Sequence, residues 1–273
     1  MIPEAQIGQQ LLDWLRAQMA IACDLSESVE HLRKLGYSDR AILVAFETVR
    51  PRGDAIAAGG NQPPLLRRAP PKLHRFSWPE HGVDLYTLDD FMNPNECAKL
   101  TALIGHHLRP STLSHDPKDD SFRTSQTADL CNLKSPVSIA IDAKICRTLG
   151  IRAEYSEGIQ AQRYDVGQQF KPHWDFFIPD SDMYRRVCGV RGNRTWTFMV
   201  YLNEVEAGGA TRFTKVDHVV HPKAGMALFW NNLNPDGSIN EATMHCGEPV
   251  VRGHKVIITK WFRIHGHGPL FHE

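Results

Sequence analysis

The sequence predicts a mainly β domain with flanking helices, preceded by a small N-terminal helical region. Segments rich in β-branched and aromatic residues predict strands at 195–202, 225–230 and 256–262. Clusters of turn-forming residues separate these strands at 207–209, 222–225 and 234–237. Many short strands that follow a few helices favour a sandwich or a barrel.

Residues 1–52 form the predicted helical region. Apolar residues recur at helical spacing from Ile7 to Leu15, which predicts a first helix. A second helix is predicted from about Asp24, a potential N-cap, to Gly36, where a left-handed residue is easily accommodated. Ser38 then caps a third helical segment. We therefore expect a small helical appendage.

A Pro- and Gly-rich stretch, 53–72, lacks periodicity and predicts a linker. The main domain is accordingly assigned to residues 73–273. Within it, apolar residues at helical spacing predict one helix around 97–104 and another over 137–145 that ends near Gly150.

Composition and charge exclude several classes of protein. The 273 residues carry 31 Lys+Arg and 31 Asp+Glu, so no global field points to nucleic acid or to a membrane surface. The first residues lack the uninterrupted apolar stretch of a signal peptide. Six cysteines occur without a CxxC pair, which favours reduced thiols. We expect a cytoplasmic protein that binds neither nucleic acid nor membranes.

The motif His173-Trp174-Asp175 is the strongest candidate for a metal site. Successive side chains of a strand point to opposite faces, so His173 and Asp175 share a face while Trp174 points away. His245, far downstream, can supply a second imidazole if the intervening strands fold back. Two histidines and one carboxylate leave coordination positions open, as in non-haem Fe(II) oxygenases.

Two alternatives to this metal site remain open on the residues alone. Zinc accepts the same three ligand types, so the ligands do not decide the metal. His218 and His221 compete with His245, although they precede a Pro-Lys-Ala-Gly turn and look like strand-edge surface residues.

The strand after Gly253 carries one lysine on each face. One face holds Lys255 and Trp261, and the other holds Lys260. If the first face lines a barrel interior, Lys255 requires an anionic partner, because an unpaired buried ammonium is costly. An exposed edge-strand lysine is the alternative. A dicarboxylate that chelates iron through a 2-oxo acid group and reaches Lys255 with its far carboxylate explains both features, and 2-oxoglutarate is such a compound.

Several short blocks between about Asp89 and Arg263 occur in the order found in one enzyme family. These blocks are 123–125, 160–168, 172–175, 193–197, 201–213, 222–225, 229–230, 236–238, 243–245, Gly253 and 255–261. By these blocks the chain resembles the prolyl 4-hydroxylase branch of the Fe(II)/2-oxoglutarate-dependent dioxygenases. The resemblance implies a double-stranded β-helix, or jelly-roll, catalytic domain.

The resemblance also implies roles for the residues of the expected iron site. His173, Asp175 and His245 match the Fe(II) ligands of the family. Lys255 matches the residue that anchors the distal carboxylate of 2-oxoglutarate. These four residues are the expected catalytic centre.

Five further positions match residues around the cosubstrate and the substrate. Tyr164 and Thr197 match residues that hydrogen-bond the cosubstrate, and Trp261 matches a residue that walls the pocket. Arg123 and Ser125 match a segment near the peptide groove and are candidates for substrate contact.

Two segments lie outside the resemblance. Residues 176–192 fit a variable loop expected to close over the substrate. Residues 1–72 are not covered, although 32–46 is similar to small ubiquitin-associated modules; the alternative is a helical cap packed against the barrel.

The implied activity is hydroxylation of a C–H bond by O2, coupled to oxidative decarboxylation of 2-oxoglutarate. The leading substrate is a prolyl residue in a peptide or protein. The alternatives are a free amino acid, another side chain or a small molecule, or a non-catalytic jelly-roll binding module that contains a metal. The resemblance further implies that ascorbate restores oxidised iron.

Overall fold

A computed structural model of the chain describes residues 8–21, 26–49, 70–111, 122–133, 135–188 and 191–266. Within these residues the helices are α1 Gln9–Ile21, α2 Ser26–Lys34, α3 Asp39–Val49, α4 Pro94–Gly105, α5 Pro136–Leu149 and α6 Asp182–Cys188. The strands are β1 Leu73–Trp78, β2 Val83–Leu88, β3 Arg109–Pro110, β4 Gln126–Asp129, β5 Gln160–Tyr164, β6 Phe170–His173, β7 Arg194–Tyr201, β8 Ala207–Gly208, β9 Thr211–Phe213, β10 His218–Val220, β11 Ala227–Asn231, β12 His245–Gly247, β13 Val250–Arg252 and β14 Lys255–Arg263.

Two antiparallel sheets enclose the core of the main domain. The larger sheet has the strand order β1-β2-β11-β7-β14-β5-β4-β3, and the smaller has the order β10-β9-β12-β6. Apolar side chains from both sheets meet between them, including Phe213 of β9 and Met199 of β7. This arrangement confirms the jelly-roll fold class. The three strands predicted from composition correspond to β7, β11 and β14.

The outer face of the larger sheet is covered by α4 and α5. Val256 and Ile258 of β14 join one buried cluster with Leu100 of α4 and Ile141 of α5. Ile257, between them in sequence, belongs to the cluster inside the barrel. The alternation predicted for this strand is therefore confirmed, and both of its faces are buried.

Capping explains where the two covering helices begin and end. At the start of α4 the Asn93 side chain accepts a hydrogen bond from the Glu96 backbone N–H, and Glu96 accepts one from the Asn93 N–H. Helix α5 ends at Gly150, which adopts a left-handed conformation with φ of 63°. Both helices were predicted from apolar spacing, and both are confirmed.

The N-terminal helices α1, α2 and α3 share a small core of their own. It is formed by Leu12, Leu15, Leu32, Ile42, Ala45 and Val49. Ser38 caps α3, because its hydroxyl oxygen accepts a hydrogen bond of 3.1 Å from the Ala41 backbone N–H. The proposed cap at Asp24 and most of the proposed linker lie outside the described residues. No helix in the described part of the chain has the length and apolar character needed to cross a bilayer.

A buried ion pair joins β14 to α5 on the outer face of the sheet. The Lys260 side chain is fully buried, and its Nζ donates to Asp142 Oδ1 at 2.6 Å and to the Glu157 backbone carbonyl at 2.8 Å. Because an ammonium in this position needs compensating acceptors, the pair fixes the helix against the strand.

We expect Asp142→Asn to lower the free energy of unfolding by about 3 kcal/mol, since it leaves the Lys260 ammonium buried without its carboxylate. Urea denaturation followed by circular dichroism measures this change. Asp90→Asn is the matched control, because Asp90 forms an exposed ion pair with Lys72 and its loss should leave the unfolding midpoint unchanged. Equal midpoints for both variants would contradict a stabilising role of the Lys260 pair.

Candidate active site

The two histidines of the expected metal site face each other across a strand pair. His173 ends β6, and His245 begins β12, and these two residues are register partners in the antiparallel ladder. Their ring centroids lie 4.4 Å apart. Strand pairing thus brings together two residues that are far apart in the sequence.

Asp175 completes the cluster from the segment just after β6. One carboxylate oxygen lies 3.9 Å from His173 Nε2, and the other lies 3.9 Å from His245 Nε2. The ligand atoms of the three residues all lie within 4.8 Å of one another. Strand β6 ends at His173, so Asp175 is not the strand residue that the parity argument assumed, but the imidazole and the carboxylate still converge.

Backbone carbonyl groups orient both imidazole rings. Nδ1 of His173 lies 2.7 Å from the Lys171 carbonyl oxygen, and Nδ1 of His245 lies 3.0 Å from the Thr243 carbonyl oxygen. A carbonyl oxygen can only accept, so each Nδ1 carries the proton and each Nε2 presents its lone pair to the cluster. Metal binding requires this tautomer.

The environment keeps the site in the protonation state that a cation needs. Burial and the neighbouring His245 lower the pKa of His173 to about 3, so its ring is neutral at pH 7. Burial opposes ionisation of Asp175, but the two neighbouring imidazoles outweigh it and hold its pKa below the usual range. Two imidazoles and one carboxylate are a donor set that fits Fe(II).

The competing histidines lie elsewhere. His218 is in the edge strand β10, where its ring packs 4.7 Å from the Phe76 ring and 5.0 Å from the Trp78 ring. His221 is exposed just beyond that strand. Among the described residues, the cluster of His173, Asp175 and His245 is the one group of three potential ligands close enough to hold a metal ion.

The cluster opens into a cavity of about 750 Å³, and Lys255 lies in its wall. The Lys255 side chain is almost completely buried, and Nζ lies 5.5 Å from the centre of the Tyr164 ring and 5.6 Å from that of Tyr201. Burial lowers its pKa to about 8. Within the described residues Lys255 forms no ion pair, so its ammonium is available to an anionic ligand in the cavity.

The other residues expected around the cosubstrate also line this cavity. Tyr164 is the register partner of Lys255, and its hydroxyl donates to Gln162 Oε1. The Trp261 ring lies 3.9 Å from the Arg194 guanidinium carbon. Thr197 donates a hydrogen bond of 2.7 Å to Asp175 Oδ2. Its expected contact with the cosubstrate stays a prediction. In the structure the Thr197 hydroxyl instead donates its proton to Asp175, one of the three potential metal ligands.

Arg123 and Ser125 lie on one side of the cavity. Arg123 lines it, with its guanidinium 5.0 Å from the centre of the Phe170 ring. The Arg123 side chain donates to Ser125 Oγ at 3.2 Å and to Gln160 Oε1 at 3.0 Å. Ser125 is buried beneath it and supports the guanidinium. Their expected role in substrate contact stays a prediction.

The same cavity is lined by an ion pair that was not predicted from the sequence. Arg194 donates two hydrogen bonds of 2.7 Å to the Glu157 carboxylate, and both residues line the cavity. Burial opposes ionisation of Glu157, but Arg194 and the nearby Arg263 lower its pKa to about 2. Arg194 also donates to the Asp175 backbone carbonyl at 3.3 Å. Its place directly before Thr195, within the block 193–197, was the available signal.

Tyr201 and Thr211 were also missed. The Tyr201 hydroxyl donates to Thr211 Oγ1 at 2.8 Å, and Thr211 lines the cavity near Lys255. Both residues occur in the block 201–213 that carries part of the family resemblance, but hydroxyl-bearing residues in strands are common, and no spacing rule singled them out.

The segment expected to close over the substrate forms one rim of the cavity. It begins with Phe176 and Phe177, both buried, and continues into α6. Ile178 and Met183 also line the cavity. Trp174 lines it as well, stacked on Phe176 at 5.4 Å, and its indole N–H donates to the Glu241 carbonyl. Trp174, expected from the sequence to face away from the metal, therefore lines the same cavity as the three potential ligands.

Comparison with known proteins agrees with this geometry. Residues 159–263 match the family model of the 2OG-Fe(II) oxygenase superfamily. The chain is 35% identical over 182 residues to prolyl 4-hydroxylase subunit alpha-1 of Gallus gallus, an alignment that covers 65% of this chain and 35% of the relative. It is 35% identical over 187 residues to prolyl 4-hydroxylase subunit alpha-3 of Homo sapiens, which covers 67% of this chain and 34% of the relative. The chain thus spans about a third of the length of these relatives.

A solved structure shows the same architecture. The viral collagen prolyl hydroxylase vCPH of Paramecium Bursaria Chlorella virus-1, determined as a 2OG complex, superposes with a TM-score of 0.53 at 25% sequence identity. The match covers 66% of this chain and 95% of the viral chain.

We expect His173→Ala and His245→Ala to abolish stoichiometric Fe(II) binding, because the two donors that remain in each variant cannot hold the ion tightly. Anaerobic equilibrium dialysis measures the bound iron. His218→Ala is the control and should bind iron as the unaltered chain does, since His218 lies in β10 away from the cavity. Iron binding that survives in either ligand variant would refute this assignment.

We expect Lys255→Met to weaken 2-oxoglutarate binding by roughly 2 to 4 kcal/mol, or about 30- to 1,000-fold, with Fe(II) binding retained. In the unaltered chain the affinity should fall as the pH rises through about 8, because the ammonium that attracts the carboxylate loses its proton there. Lys255→Arg should remove this pH dependence, since a guanidinium stays charged. Calorimetric titration at several pH values measures both effects, and a flat profile for the unaltered chain would contradict them.

Proposed function

Because the chain belongs to the 2OG-Fe(II) oxygenase superfamily, we propose that it hydroxylates a C–H bond of a prolyl residue in a peptide or protein. The observation that carries the proposal is the joint presence, in one cavity, of the cluster His173–Asp175–His245 and the buried Lys255 ammonium. A metal site alone, or a buried lysine alone, supports no particular reaction. Together they match a metal and a dicarboxylate cosubstrate.

The residues of the chain bind and orient the reactants. His173, Asp175 and His245 would hold Fe(II), and Lys255 would attract the far carboxylate of 2-oxoglutarate. When bound, Fe(II) and 2-oxoglutarate supply an oxidant from O2: one oxygen atom enters succinate as CO2 leaves, and the other converts a substrate C–H into C–OH. Apolar side chains that line part of the cavity, among them Phe170, Trp230 and Ile257, would limit the access of water to this chemistry.

The prolyl substrate is supported by the relatives, whose printed names include prolyl 4-hydroxylase subunits and a collagen prolyl hydroxylase. The cavity is large enough for a cosubstrate and a side chain of a peptide. Free amino acids and other small molecules are the alternative substrates. Ascorbate as a reductant, and a cytoplasmic location, belong to the same proposal.

We expect the purified chain with Fe(II), 2-oxoglutarate and O2 to form succinate, and proline-rich peptides to gain one oxygen atom by mass spectrometry. Tandem spectra locate the added oxygen on proline. His173→Ala is the inactive control. If free proline stimulates succinate formation and no peptide does, the small-molecule alternative replaces the peptide proposal. If no succinate forms under any condition, the proposed enzymatic activity is refuted.

The apolar rim, which we define as Trp174, Phe176, Ile178 and Met183, favours an apolar residue beside the target proline. Ile178 is 54% exposed and lines the cavity together with the other apolar side chains of the rim. The rim is continuous with the cavity that holds the metal cluster. A flanking apolar side chain of the substrate would cover it.

We expect Ile178→Ser to raise the KM for peptides with Leu beside proline about fivefold, because roughly 1 kcal/mol of apolar contact is lost. The KM for peptides with Gly at that position should stay constant. Val251→Ser is the matched control, since Val251 is 66% exposed but does not line the cavity. Equal effects of Ile178→Ser on both peptides would contradict a contact between the rim and the flanking side chain.

A further inference from the structure

We infer that Asn232 is a positioning residue that acts through Thr197 to fix the carboxylate of Asp175 for metal binding. The inference rests on the proposed function, because it concerns the same metal cluster. Asn232 follows β11, is completely buried and does not line the cavity. It therefore acts on the reactants only through other residues.

A chain of three hydrogen bonds leads from Trp230 to Asp175. The Trp230 indole Nε1 donates to Asn232 Oδ1 at 2.9 Å. Asn232 Nδ2 donates to Thr197 Oγ1 at 2.9 Å, and Thr197 Oγ1 donates to Asp175 Oδ2 at 2.7 Å. The exposed fraction of each of these four side chains is below 10%. Water therefore competes little with these bonds.

The chemistry of the donors sets the direction of this chain. An indole N–H can only donate, so it selects the amide orientation in which Asn232 Oδ1 faces Trp230 and Nδ2 faces Thr197. Because Thr197 Oγ1 accepts from Asn232, its own proton is directed to the remaining partner, Asp175. An ionised carboxylate can only accept hydrogen bonds, so each donor in the series from Trp230 to Asp175 meets an acceptor.

The backbone holds Asn232 in place for this role. Its N–H donates to the Thr195 carbonyl at 2.6 Å, and its carbonyl accepts from the Asn240 N–H at 3.0 Å. Trp230 is the register partner of Thr197 and also packs edge-on against His245, at 4.8 Å between ring centroids. Trp230, the first donor in this series of hydrogen bonds, thus also contacts a second potential metal ligand.

Two consequences follow for Asp175. The hydrogen bond from Thr197 occupies a lone pair of one carboxylate oxygen and holds the carboxylate in one orientation. A ligand fixed in this way loses less freedom when a metal binds, and outer partners of this kind typically contribute 10- to 100-fold to metal affinity. Removal of Asn232 removes one of the two hydrogen bonds that hold the Thr197 hydroxyl, so the bond from Thr197 to Asp175 is held less firmly.

The test measures Co(II) binding and its visible absorption spectrum, with no cosubstrate and no turnover. We expect Asn232→Leu to weaken Co(II) binding about 10- to 100-fold and to change the spectrum. Thr197→Val should do the same, and Thr197→Ser, which keeps the hydroxyl, should restore both readouts. Asn231→Leu is the matched control. Asn231 is the neighbouring residue, but its Oδ1 accepts a hydrogen bond from the Leu233 N–H, and it is not one of the four residues that link Trp230 to Asp175.

The double variant Asn232→Leu/Thr197→Val separates positioning from general structural support. If Asn232 acts through Thr197, the double variant binds Co(II) as Thr197→Val alone does. Additive losses, or an Asn232→Leu protein with unaltered affinity and spectrum, would overturn the inference. Should Asn232→Leu not fold, Asn232→Ser gives the same comparison with a smaller polar side chain.

The same titrations distinguish a failure of the inference from a failure of the proposed function. If the unaltered chain binds no Co(II), or if His173→Ala binds it equally well, the metal site itself is wrong. If only the Asn232 and Thr197 variants behave like the unaltered chain, the metal site stands and the positioning role of Asn232 is wrong.

Discussion

The burial of β14 on both faces is the constraint on which the rest of the structure depends. Strand β14 lies in the middle of the larger sheet and has no solvent-facing side. Each of its two buried lysines therefore needs an anionic partner on its own face. Lys260, on the outer face, is neutralised by Asp142 of α5 and binds this helix to the sheet. Lys255, on the inner face, has no ion-pair partner among the described residues and presents its ammonium to the cavity. One strand thereby defines both the helical cover and the chemistry of the interior.

The metal cluster depends on a second constraint, the register between β6 and β12. This pairing sets His173 opposite His245, and carbonyl groups of the same two segments orient both rings. Asp175 is held from the larger sheet, through the Thr197 hydroxyl and the hydrogen bond from Arg194 to its backbone carbonyl. The cluster therefore joins the two sheets, and a shift between them would separate the carboxylate from the imidazoles.

Local patterns predicted much of the fold because they depend on neighbours in the sequence. The period of two in β14 placed Lys255 and Lys260 on opposite faces, and the spacing of apolar residues located α4 and α5. The same rules could not find Glu157 or Asn232. The contact of Glu157 with Arg194, and that of Asn232 with Thr197, each join residues more than 30 positions apart. Nothing in the local sequence distinguishes such residues from ordinary surface or turn residues.

The sequence by itself determined the types of the functional side chains and their relative faces: two imidazoles and a carboxylate suited to a cation, and two lysines on opposite faces of one strand. It did so because strand parity and ligand chemistry are local properties. Only the tertiary structure decided that His245, rather than His218, stands opposite His173, and that the Thr197 hydroxyl bonds the metal-cluster carboxylate. These outcomes depend on sheet register and on hydrogen-bond direction, which arise only when distant segments pack together.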